Sequence, residues 1–148
     1  MPNAKKPAEP RTQFLAGHLA LDFLNTRMRL RGELLDLFQR DEDVLAWLKQ
    51  AGHPVSKMNN MVSRSLLRSA RTLRENIRSL IEKRKAGLRG DPSVLNDFLD
   101  HAQSHPRLVW KKASSLTLER IRQQSGPEAI LAPVAEAAAV LLASHGRL

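Results

Sequence analysis

Apolar residues recur at helical spacing in several stretches of the chain and at strand spacing in one. The longest helical pattern runs from Ser56 to about Lys85. Leu66, Ala70, Leu73, Ile77 and Leu80 or Ile81 alternate steps of four and three, which predicts about seven turns of helix with one continuous seam. Ser56 reads as its N-cap. A shorter helix is expected from Asp41-Glu42-Asp43, whose negative charge suits a helix N-terminus. Val44, Leu45, Trp47 and Leu48 form its buried side, and Gly52 with Pro54 closes it. After Gly87 and Gly90, Asp91-Pro92 restarts a helix carrying Leu95, Phe98, Leu99 and Ala102 on one face. The last helix opens at Ser125-Gly126-Pro127 and runs to about Ser144, with Pro133 removing one backbone donor.

Beyond Arg107 the period drops to two. Leu108 and Trp110, then Leu116 and Leu118, flank a polar link and predict a β-hairpin over about 107–121. A lone hairpin is marginal in water, so this one is expected to lie on the helices with Trp110 as its anchor. Leu34, Leu35, Leu37 and Phe38 read as a short apolar link. The fold class is therefore mainly α: a single multihelical domain over 14–148 with one small β-hairpin packed on it. Residues 1–13, polar and rich in proline near the start, read as a disordered lead-in.

One stretch has two apolar sides. On a helix from Gly17 onward, Leu19, Phe23 and Leu30 fall opposite Leu21, Leu24 and Met28, with His18, Asp22, Asn25 and Arg29 stacked between them. A helix apolar on two faces is a central one, and an Asp inside it needs a cation or backbone amides. These four residues are the candidate ligand-binding constellation. The alternation of Leu19, Leu21 and Phe23 leaves a strand open for residues 18–25.

Gly17-His18-Leu19-Ala20-Leu21-Asp22-Phe23-Leu24-Asn25-Thr26 is similar to the opening signature of the bacterial CGNR zinc-finger proteins, whose N-terminal helical region is the ABATE domain. Trp47-Leu48 before Gly52, Leu73-Arg74-Glu75-Asn76-Ile77-Arg78, the Pro133 to Ala139 run, Leu141-Leu142 and Arg147-Leu148 follow in the same order. The resemblance implies a stress-induced transcription regulator of the bacterial cytoplasm, a non-catalytic regulatory domain coupled to a DNA-binding finger. In that family the closing Arg-Leu leads into the cysteine-rich finger. Here the sequence ends at Leu148 without a cysteine, so zinc is expected only in a finger outside these residues and no cofactor within them.

Charge adds a partner class. With 24 basic and 15 acidic residues the chain carries a formal +9, which favours encounter with polyanions without choosing among them. Aromatic content of 4% with no tyrosine leaves little to stack on unpaired bases, so duplex DNA is the natural nucleic-acid candidate. Arg64, Arg68, Arg71, Arg74 and Arg78 share an arc of about 120° beside the long helix's seam, and Lys83, Arg84 and Lys85 follow it. These are the candidate phosphate contacts. The competing reading is a helix face whose arginines pair with Glu75, Glu82 and neighbouring carboxylates.

Other chemistry is sparse. His101 and His105 have zinc-ligand spacing, but no Glu follows His101 and Pro106 intervenes, so no metal site is assigned. No phosphate loop, nucleophile elbow or carboxylate pair is visible, and an enzyme is not expected. Duplex DNA, a second copy of the chain and an unknown small ligand are the partners left open. The last apolar segment carries Glu136 and Pro133 and is too short for a membrane span.

Overall fold

The computed structural model describes residues 18–55, 60–122 and 124–144, with side chains in the long helix from residue 65 onward. In chain order the elements are α1 (Leu19–Leu24), β1 (Arg27–Leu30), β2 (Glu33–Asp36), α2 (Asp41–Gln50), α3 (Asn60–Lys85), α4 (Ser93–Leu99), β3 (Ser104–Trp110), β4 (Leu116–Arg122) and α5 (Pro127–Ala143). The lead-in over 1–13 and the cap at Ser56 fall outside the described residues.

Helix α3 is the axis of the core. Its seam, Leu66, Ala70, Leu73, Ile77, Leu80 and Ile81, is buried along its length, and α1, α2, α4 and α5 all pack against it. Helix α5 is apolar almost all round at its N-terminal half, with every residue from Ala129 to Ala135 buried. It is wedged among α1, α3 and α4, where its alanines permit close approach. Phe23 from α1, Phe38 after β2 and Trp47 from α2 form one aromatic cluster, with ring centroids 5.4 to 6.2 Å apart and tilted or edge-on planes. Among the described residues, no helix is long and apolar enough to cross a membrane.

Three expectations need correction. First, the two-faced helix is six residues long. His18 caps it, its Nδ1 accepting from the Ala20 amide at 3.2 Å, and the chain leaves the helix at Asn25 and turns into β1. Second, there are two hairpins rather than one. The supposed apolar link is β2, paired antiparallel with β1 from Arg27↔Asp36 to Leu30↔Glu33. Arg31 and Gly32, at φ 53° and 83°, make the two-residue turn whose left-handed backbone matches strand twist.

Third, the expected hairpin forms, from Ser104↔Arg122 to Trp110↔Leu116, but it does not lie down on the helices. Leu108, Trp110, Leu116 and Leu118 are 64, 67, 47 and 70% exposed. The register places all four on one face. Its attachment is at the base, where Arg122 pairs with Glu136 of α5 at 2.6 Å and Gln124 donates to the Pro54 carbonyl at 3.2 Å.

Candidate ligand sites

The expected polar line divides between two elements. Asp22 is buried in α1 at 4% exposure and is not unpaired. Asn25 is exposed at the end of α1, its backbone N–H donating to the Leu21 carbonyl at 3.0 Å. Arg29 is exposed on β1. The reason is the early end of α1: the spacing of four, three and four aligns residues only on one continuous helix. His18 and Asp22 stay together on α1, and Arg29 acquires other neighbours.

The arginine arc of α3 turns toward the first hairpin. Arg74 is 1% exposed. Its guanidinium donates to both carboxylate oxygens of Asp36, through Nη1 at 2.8 Å and through Nη2. Nη1 also donates to Thr26 Oγ1 at 3.0 Å, and the guanidinium carbon stands 5.4 Å from the centre of the Phe38 ring. Thr26 in turn donates to the Phe23 carbonyl at 2.6 Å. One turn away, Arg71 Nη2 donates to the Phe38 carbonyl at 2.6 Å and Arg78 Nη2 to the Leu24 carbonyl at 3.1 Å.

Burial pushes the Asp36 carboxyl up. Hydrogen bonds from Arg74 and the Phe38 amide, with the charges of Arg74 and Arg71, outweigh it and hold the group below its ordinary value. Three arginines therefore fasten the end of α1 and the first hairpin to the core helix. Arg68 is exposed, and the Arg64 side chain lies outside the described residues. Lys83, Arg84 and Lys85 are exposed at the end of α3, with Arg84 donating to the Ser144 carbonyl at 2.7 Å. Asp36 and Thr26 escaped the sequence reading. The available signal was a carboxylate set among Leu34, Leu35, Leu37 and Phe38, the same oddity that drew attention to Asp22.

Hollows of ligand size include one of about 360 Å³ between the end of α3, α4 and α5, bordered by Leu80, Leu95 and Leu142, and two beside the hairpins. The larger, about 520 Å³, lies where the second hairpin meets α5 and the end of α2, and Gly52, His53, Pro54, Arg120, Arg122 and Ile130 are among its walls. Its charges are largely matched: Arg122 with Glu136, and Glu119 with Lys111. Burial and the nearby Arg122 cation lower the pKa of His53 against the opposing pull of Glu136. Pro133 has no N–H, so it cannot serve the Ala129 carbonyl one turn back, and both residues line this hollow. The smaller, about 350 Å³, opens at the root of the first hairpin between Arg27, Met28, Arg29, Leu34 and Arg78. His101 lies beyond α4 and His105 on β3, so they do not share a helix face. Among the described residues no group of three or more His, Cys, Asp or Glu is arranged to hold a metal.

This fold and its opening signature meet in one match. The ABATE family, described as a putative stress-induced transcription regulator, matches residues 17–145. The chain belongs to the ABATE family. No curated protein and no solved structure matches it. The family match begins at Gly17, and its opening motif now has a structural meaning. His18 caps α1, Phe23 enters the aromatic cluster, and Thr26 links α1 to the buried Arg74.

Proposed function

We propose that this ABATE chain is the non-catalytic regulatory part of a transcription regulator, binding a small ligand and acting through a separate DNA-reading element rather than reading DNA along α3. The observation that carries this reading is the inward commitment of the α3 arginines. Arg74 is sealed in the core, while Arg71 and Arg78 each spend a guanidinium nitrogen on a backbone carbonyl. A continuous phosphate-tracking ridge needs the whole row at the surface, and the burial of Arg74 breaks it in the middle. Hollows of ligand size support the sensing role.

Duplex-DNA affinity of the full chain, measured by fluorescence anisotropy across a salt series, tests it. The expected slope of log K against log salt is shallower than about −3 and unchanged by Arg68→Gln. A slope of about −5 or steeper that flattens by about one unit in Arg68→Gln restores the helix as a DNA ridge and removes this reading.

A further inference from the structure

We propose that the hollow at the root of the first hairpin is a phosphate site, taking a small phosphate-bearing ligand between the guanidinium groups of Arg27, Arg29 and Arg78. The inference rests on the ligand-binding reading above and adds to it a place and a chemical class.

The composition of the walls carries the argument. Among the described residues, three of those lining the hollow are arginines, the other two are Met28 and Leu34, and none is a carboxylate. Glu75 meets Arg27 at 2.8 Å from the side, with the two side chains 36 and 45% exposed. Arg78 is oriented by its bond to the Leu24 carbonyl. The Arg29 side chain is exposed and, among the described residues, makes no hydrogen bond or ion pair. Among the described residues three cations thus meet one anion, which Arg27 shares with Arg74, whereas in the larger hollow Arg122 is paired with Glu136.

Such an excess is relieved by an anion, and guanidinium forks fit phosphate oxygens in pairs. Arg27 and Arg29 are set by the β1–β2 ladder and its tight turn, and Arg78 by α3, so little ordering is required on binding. Leu34, 52% exposed and opposite Arg29 in the ladder, offers an apolar floor to the rest of the ligand. A free phosphate compound and a DNA backbone present the same oxygens. The volume of about 350 Å³ favours the former.

The full chain is titrated at constant ionic strength with pyrophosphate and, separately, with a mixed-sequence duplex, using wild type, Arg29→Gln and, as a basic-surface control, Lys49→Gln, whose side chain is exposed on α2 away from the hollows. Arg29 supports no contact of the fold, so its variant retains wild-type circular dichroism. The expected result is saturable pyrophosphate binding at one site, weakened about tenfold by Arg29→Gln and unchanged in Lys49→Gln. Duplex binding that alone shows the Arg29 dependence also supports a phosphate site and assigns its phosphate to DNA. Absence of binding by either probe, or equal weakening in the two variants, overturns the site. A ligand of another class that stabilises the chain and ignores Arg29→Gln also overturns it, and leaves the sensing reading intact.

Discussion

Arg74 is the residue on which the N-terminal part of the molecule turns. A guanidinium buried in a core is tolerated only where counter-charge and hydrogen bonds offset its desolvation, and Asp36 supplies most of both. Asp36→Ala is expected to lower unfolding free energy by about 3 kcal/mol in urea titration, because it strands a buried cation. Asp36→Leu with Arg74→Met is expected to recover most of that loss, since neither charge then needs solvating. A double mutant no more stable than Asp36→Ala contradicts the account. Arg74 was visible in the sequence as a member of the arc, but its depth was not. Counting from Ala70, it stands at the same four-then-three spacing as the seam, leading on to Ile77 and Ile81. The arc therefore overlapped the buried face, and only an unrecognised carboxylate partner decided the side chain's fate.

His53 gives a second test at the same scale. Its folded pKa lies below the ordinary histidine value because burial, aided by Arg122, disfavours the cation. Between the two values the unfolded chain binds more protons, so stability rises with pH there and is lost as pH falls from about 6.5 toward the folded value. Thermal midpoints recorded from about pH 7.5 to about pH 5 are expected to fall less steeply in His53→Gln than in wild type. Equal slopes refute the contribution.

At the scale of elements, α2, α3 and α5 were legible because each carries an apolar period, and α2 and α5 also have recognisable starts. The acidic first turn of α2 and Gly126-Pro127 before α5 fall where the helices begin. The first hairpin was hidden for physical reasons. Its strands have four residues each, neither alternates cleanly, and its turn places an arginine where asparagine would have signalled it. The second hairpin was read correctly in place and wrongly in attitude. Alternation tells which residues share a face but not whether anything covers that face. Trp110 is accordingly expected to behave as a solvent-exposed fluorophore and Trp47, at 1% exposure, as a shielded one. Acrylamide should quench Trp47→Phe several-fold more efficiently than Trp110→Phe, and Trp110→Ala should change stability by no more than about 0.5 kcal/mol. Similar quenching of both variants places the hairpin against the core after all.

At the scale of the whole molecule, four of the five helices gather round α3, and the two hairpins sit at its margin as attachments made by side chains. The candidate site is divided in the same way. Arg29 and Arg78 were each singled out in the sequence for different roles, and Arg27 for none. Their convergence arises from pairing β1 with β2 beside α3, a long-range event that periodicity within either segment does not contain.

The bend joining β3 to β4, with Lys112 followed by Ala113 at φ 58°, stands between two strands whose apolar side faces water. Within the described fold trypsin should cut there, after Lys112, before it cuts the packed helices, because an exposed basic turn fits a protease cleft and the helices do not. The products are expected to migrate together in gel filtration and part only in denaturant, since α5 remains clasped by α1, α3 and α4 across the break. The same bend is then the natural seam for dividing the protein into two complementing pieces, or for inserting a reporter without opening the core.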